Sequence, residues 1–240
     1  MSKLGALHLT KHTGAKHSAT IIFFHGSGSN GADLKQWVTS LAKNFSFPHI
    51  KILYPTAPLQ PFSSTGGGMS NVWFDRIALL QSVPEQLASI AEIEVEVKKL
   101  IKQENDAGIP SNRIIVGGFS MGGSLSFHTG FRWDRNLAGA FVFGSFLNNN
   151  SIVYEELKKA SGVQLCTYLD CFSIPVPPLL QIHGDSDGLV DISWGQTTFN
   201  ELKALGVQGE FHVIPKLGHS INPSSLLLLK EFIDKHLPEL

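Results

Sequence analysis

Short, unbroken apolar runs recur along this chain, and between several of them apolar residues return every three or four positions. Ala19-Thr20-Ile21-Ile22-Phe23-Phe24, Ile50-Lys51-Ile52-Leu53-Tyr54 and Arg113-Ile114-Ile115-Val116-Gly117 read as strands. So do Leu137-Ala138-Gly139-Ala140-Phe141-Val142-Phe143, Pro178-Leu179-Leu180-Gln181-Ile182 and Gly209-Glu210-Phe211-His212-Val213-Ile214. Most show no polar alternation, which marks strands covered on both faces. Residues 32–43 place Leu34, Trp37, Val38 and Leu41 on one helical face. Leu87, Ile90, Ile93, Val97, Leu100 and Ile101 continue at the same spacing in a second helix, which Ala107-Gly108 ends. Ser82-Val83-Pro84-Glu85 predicts a capping box at its start, and its glutamates and lysines predict a solvated face. Helical spacing returns over 194–205 and 226–237, whereas 59–70, closing on Gly66-Gly67-Gly68, reads as loop. Strands alternating with helices predict an α/β fold: a mostly parallel, doubly wound sheet with helices on both faces. Ligands in such sheets bind beyond the carboxyl ends of the strands.

Length and charge narrow the picture. The 240 residues fit one α/β domain over 19–240, preceded by a polar stretch, 1–18, that reads as a flexible arm with solvated His8, His12 and His17. A formal net charge of -1 argues against a nucleic-acid surface or a basic membrane patch. No apolar run is long enough to span a bilayer, and Met1-Ser2-Lys3-Leu4-Gly5-Ala6 has neither a long apolar leader nor a myristoylation glycine. The expectation is a cytoplasmic protein without stable membrane insertion. Cys166 and Cys171 then read as free thiols, and two sulfurs alone do not close a metal site. The sequons at Asn44 and Asn149 carry no function without secretion, and nothing signals an oligomeric state.

The chemistry centres on Gly118-Phe119-Ser120-Met121-Gly122, a G-x-S-x-G motif between a buried strand and a stretch able to open a helix. That context puts Ser120 on a sharp turn above the strand ends, facing backbone N–H groups at a helix start, as acyl transfer requires. His25-Gly26-Ser27-Gly28 follows the first strand; without a lysine at phosphate-loop spacing it reads as the second half of an oxyanion hole, with Ser27 N–H as donor. A serine hydroxyl needs a base held by a carboxylate, in the chain order serine, acid, histidine. His219 sits on the loop after the last strand, where that base belongs, while His183 and His212 read as structural. Asp185, Asp187 and Asp191 all follow the strand ending at Ile182, and spacing alone leaves the acid open among them. Trp73, after the flexible glycines, reads either as core or as a wall of an apolar substrate groove.

These motifs, with Tyr54-Pro55-Thr56-Ala57-Pro58, Trp73-Phe74-Asp75, Pro110-Ser111-Asn112-Arg113-Ile114 and His183-Gly184-Asp185-Ser186-Asp187, resemble the acyl-protein thioesterase and lysophospholipase family of α/β-hydrolases from about residue 19 to 237. Asn71-Val72-Trp73-Phe74-Asp75-Arg76 with Met121 resembles its lysophospholipase-like branch. The resemblance implies an α/β-hydrolase fold, Asp187 as the acid, His219 as the base, and the N–H groups of Ser27 and Met121 as oxyanion donors. It also implies cleavage of small-molecule or acylated-protein esters or thioesters through an acyl-enzyme, without metal or cofactor. The chain departs from the family in Met121, where glutamine is usual, in Asp191, where proline is common, and in an apparent insertion over 164–174, read as a surface loop rather than a flap. A short-chain carboxylesterase, or a non-catalytic lipid-binding or scaffold module on the same fold, are the alternative readings.

Overall fold

The computed structural model describes residues 3–43, 45–160 and 175–240. Its centre is the strand pair β2 (Ala19–Phe24) and β6 (Ile114–Phe119), parallel and in register from Thr20↔Ile114 to Phe24↔Gly118. On one side of β2 lie β3 (Ile50–Pro55) and then β1 (Leu7–Thr10). On the other side of β6 follow β7 (Gly139–Phe143), β8 (Leu179–Gly184) and β9 (Gly209–Ile214). The seven-stranded order β1-β3-β2-β6-β7-β8-β9 is parallel throughout except for β1 on β3.

Each central strand feeds two cores because successive side chains alternate faces. Ile22 and Phe24 pack with α2 (Leu87–Asp106), α3 (Met121–His128), α4 (Ile152–Ala160) and α5 (Ile192–Ala204). Ile21 and Phe23 pack on the opposite face with α1 (Gly31–Leu41) and α6 (Pro223–His236). This double burial is why the strands read as continuous apolar runs, and it makes the protein a doubly wound α/β sheet with helices on both faces.

Several local expectations are corrected. Residues 7–10 of the supposed flexible arm form β1, whose backbone pairs with β3 from Leu7↔Pro55 to Thr10↔Ile52. Residues 59–70 are not loop: β4 (Leu59–Phe62) and β5 (Gly68–Asn71) make an antiparallel hairpin through a turn of 3-10 helix at Ser63–Thr65. The capping box does not form, and α2 starts only at Leu87. Glu85 turns inward instead, its carboxylate 3.3 Å from the buried His128 Nε2 and accepting the Ile152 N–H at 3.0 Å. The acidic face of α2 is also not wholly solvated. Glu104 is buried, accepts from the Thr20 hydroxyl at 2.6 Å and pairs with Lys51 at 2.8 Å. Cys166, Cys171 and the expected insertion over 164–174 lie outside the described residues.

Candidate active site

The turn after β6 is strained. Ser120 adopts φ 55 and ψ -121, a left-handed conformation that costs a non-glycine residue about 1–3 kcal/mol and persists only when its surroundings enforce it. Three hydrogen bonds do so: Ser120 N–H to Phe143 O at 2.9 Å, and the N–H groups of Gly123 and Ser124 to Ser120 O at 2.9 and 3.1 Å. Close packing supplies the rest. A Cβ on Gly122 would lie 2.3 Å from Phe24 O, and one on Gly118 would lie 2.1 Å from the Gly122 carbonyl carbon. Only glycines let β2, β6 and α3 approach this closely. Met121, directly after Ser120, opens α3, so its N–H has no carbonyl one turn back to bond.

The turn after β2 is organised by His25, which is fully buried. Its Nε2 accepts the Ala57 N–H at 3.0 Å, so the ring proton sits on Nδ1, which donates to Gly26 O at 2.7 Å. Burial pushes this imidazole down to about 4, against the opposing pull of the Gly26 carbonyl, so it is neutral near pH 7. Carbonyl and N–H point in opposite directions across a trans peptide. Pinning Gly26 O towards His25 therefore turns the Ser27 N–H the other way. The Ser27 hydroxyl reaches Met121 Sδ at 3.5 Å, which joins the two turns.

Trp73 is corrected by the same region. It is 1% exposed, donates from Nε1 to His25 O at 2.8 Å and packs its ring on Phe24 and His25. It is a support for the β2 turn, not a wall of the cavity at Ser120.

Beyond β8 and β9, two loops meet. Asp187 Oδ2 lies 2.7 Å from His219 Nδ1, and Oδ1 accepts the N–H groups of Leu189 and Val190 at 3.0 and 2.8 Å. Burial alone would raise this carboxyl, but the Val190 N–H, His219 and the Leu189 N–H outweigh it and hold it below the usual range. An ionised Asp187 keeps the His219 proton on Nδ1 and leaves Nε2 free to take another. His183 also approaches Asp187 Oδ2, at 3.3 Å, while its Nε2 bonds the Val190 carbonyl at 2.9 Å.

The other two carboxylates have different work. Asp185 accepts the Lys216 N–H at 2.6 Å, and Ser186 N–H donates to Leu217 O at 3.1 Å, so this segment ties the β8 loop to the β9 loop. Asp191 caps α5 by accepting the Ser193 N–H at 2.8 Å. His212 is paired with Glu210 on β9 at 2.9 Å.

Ser120 and His219 line one cavity of about 270 Å³ together with Ser27, Phe62, Leu189 and Arg76. The Phe119 ring packs 4.7 Å from the His219 ring. Gly144, at φ 51, closes the back of the site, where a Cβ would stand 3.3 Å from His219 Nδ1 and 3.4 Å from Asp187 Oδ2. Neither Gly144 nor Arg76 was singled out for the site from the residues themselves. The signals in the sequence are Phe143-Gly144-Ser145 at a strand end and a cation two residues after the aromatic pair Trp73-Phe74. No cluster of three or more His, Cys, Asp or Glu able to hold a metal exists among the described residues. None of the described helices is long and apolar enough to cross a membrane.

The geometry agrees with what the chain is similar to. The phospholipase/carboxylesterase family matches residues 8–237. Mouse lysophospholipase-like protein 1 is 41% identical over 224 residues, covering 93% of this chain and 89% of that protein. Acyl-protein thioesterase 1 homolog 1 of Dictyostelium discoideum is 33% identical over 228 residues, covering 93% and 92%. Among solved structures, acyl-protein thioesterase 2 of Zea mays superposes with a TM-score of 0.76 at 25% identity, covering 97% of this chain and 99% of that one. The chain belongs to the phospholipase/carboxylesterase family and is a serine hydrolase of acyl esters or thioesters.

Proposed function

We propose that Ser120, His219 and Asp187 form the catalytic triad and that hydrolysis proceeds through an acyl-enzyme on Ser120. The observation that carries this is the 2.7 Å contact of Asp187 with His219 Nδ1 beside a strained serine in a shared cavity. In the first half-reaction Ser120 Oγ bonds to the acyl carbon and its proton passes to His219 Nε2. The tetrahedral oxyanion accepts hydrogen bonds from the N–H groups of Ser27 and Met121; one such donor is worth about 2.7–4 kcal/mol. Collapse breaks the carbon–oxygen or carbon–sulfur bond, and the leaving group takes the proton from His219. Water then attacks the acyl-enzyme and gives its proton to His219, which passes it to Ser120 Oγ as the carbon–oxygen bond to Ser120 breaks and the carboxylic acid leaves.

Substrates within this proposal are small acyl esters or thioesters and acylated proteins, acted on in the cytoplasm. A fluorophosphonate probe labels the wild-type protein at Ser120 and leaves Ser120→Ala unlabelled; equal labelling of both overturns the assignment. Asp187→Asn lowers kcat by about 10⁴-fold, because the wrong imidazole tautomer is held. Asp185→Asn, which loosens the tie between the loops but leaves the His219 partner in place, loses far less.

A further inference from the structure

Arg76 stands in the wall of the cavity that holds Ser120 and His219, and it is 7% exposed. Its guanidinium lies 5.0 Å from the Phe146 ring centre and 5.7 Å from that of Phe74. Its one side-chain hydrogen bond among the described residues runs from Nη2 to Ser124 Oγ at 3.2 Å. Ser124 is on α3, one turn beyond Ser120. No carboxylate of the described residues comes within 4.0 Å of the guanidinium. Glu85 is the acid that acts on it electrostatically, and that carboxylate is already engaged by His128 and the Ile152 N–H.

A buried cation without a contacting anion is unusual, since desolvation disfavours it unless something compensates. Burial does push this arginine down to about 10, which leaves it charged near pH 7. A purely structural arginine would have its donors satisfied by protein. Here, among the described residues, Nε and Nη1 have no hydrogen-bond acceptor, and the residue lines the cavity that holds Ser120. The Phe74 and Phe146 rings pack against the guanidinium, and its planar fork matches a carboxylate or phosphate.

Resting on the hydrolase reading above, we propose that Arg76 is the substrate-selecting group of this cavity and that the preferred substrates carry an anionic oxygen group. A carboxylate at the far end of the acyl chain and a phosphate on the leaving group share this chemistry, and the assay separates them. The first arm compares 4-methylumbelliferyl monoesters of glutaric and adipic acids with their neutral methyl-capped diesters. The second compares lysophosphatidic acid with the monoacylglycerol of the same acyl chain.

In the wild-type protein, kcat/KM favours the anionic member by tenfold or more in at least one arm. Arg76→Gln removes the preference and Arg76→Lys keeps part of it. A wild-type protein that favours the neutral member in both arms overturns the proposal, whether or not the glutamine variant folds. A preference that survives Arg76→Gln overturns it as well. Fluorophosphonate labelling is run alongside. Labelled enzyme without anionic preference removes only the role of Arg76, whereas absence of both labelling and turnover removes the hydrolase reading with it.

Discussion

The turns after β2 and β6 do the same job by different physical means. Their strands are paired in register up to Phe24↔Gly118, and each turn contributes residues to one cavity, Gly26 and Ser27 from the first, Phe119 and Ser120 from the second. The β6 turn is fixed by exclusion: glycines at 118 and 122 allow contacts that any Cβ would forbid, and the strained Ser120 is left no other place to go. The β2 turn is fixed by hydrogen bonds that converge on one neutral imidazole, with Trp73 holding the carbonyl of the same residue. A steric device has no proton dependence and no tolerance of substitution. A hydrogen-bonded device tolerates more, and it titrates.

Gly122→Ala gives the largest expected effect. Its Cβ would meet Phe24 O at 2.3 Å, Phe24 C at 2.6 Å and His25 O at 2.7 Å, all backbone atoms that cannot rotate aside. Overpacking typically costs about 1–3 kcal/mol and more where the neighbours cannot give. Here β2 and α3 must part, which displaces both proposed oxyanion donors at once. Loss of about 3 kcal/mol in denaturant unfolding is expected, with fluorophosphonate labelling slowed by roughly 10³-fold. A variant that labels at the wild-type rate would show that the turn is not held by exclusion.

His25→Phe comes next. The ring shape survives, but Gly26 O loses its donor and the Ala57 N–H loses its acceptor. The Ser27 N–H is then free to swing, and kcat falls by about 10–100-fold with a smaller change in KM, less than outright loss of a donor. The substitution also changes the response to acid. In the folded protein His25 is held at about 4 rather than 6.5. Between those values the unfolded chain takes up a proton that the folded chain refuses, so stability falls as pH drops from 6.5 towards 4. The contribution of His25 to that fall is about 3 kcal/mol, and denaturant melts of wild type and His25→Phe across this window measure it. Parallel curves for the two proteins would place the acid sensitivity elsewhere.

The same contrast explains what could be read from the sequence. Steric devices leave plain traces: the strands of the central sheet are buried on both faces and read as apolar runs, and Gly118-Phe119-Ser120-Met121-Gly122 shows its turn in its spelling. Hydrogen-bonded devices leave almost none. Glu85 sits where a helix cap would, yet the buried His128 and the Ile152 N–H, distant in sequence, draw it inside. Trp73, after the flexible glycines, reads equally as core or as a groove wall, and only its indole N–H to the carbonyl of residue 25 decides. Spacing leaves the acid open among Asp185, Asp187 and Asp191; Asp191 caps its own helix locally, and the approach of the β9 loop separates a loop tie at Asp185 from a partner of His219 at Asp187. Leu7 and Leu9 are half-exposed on a four-residue edge strand, too short and too wet for alternation to register. The π-helical turn at Thr129–Trp133 that extends α3 likewise lacks a pattern of its own, whereas α4 buries Val153, Tyr154 and Leu157 at helical spacing.

Trp73→Phe gives the smallest effect and sharpens the contrast most closely. It removes the 2.8 Å hydrogen bond to His25 O while keeping an aromatic ring against Phe24 and His25. A buried carbonyl without its donor costs about 1–3 kcal/mol, and denaturant melts should record a loss in that range. Catalysis should change less than threefold, because this carbonyl lies one peptide before the Gly26–Ser27 peptide that carries the proposed oxyanion donor. His25 keeps both of its ring hydrogen bonds in this variant, so the Gly26–Ser27 peptide stays pinned. If kcat instead falls as far as in His25→Phe, the β2 turn moves as one rigid unit, and the orientation of a single peptide is not what the imidazole controls.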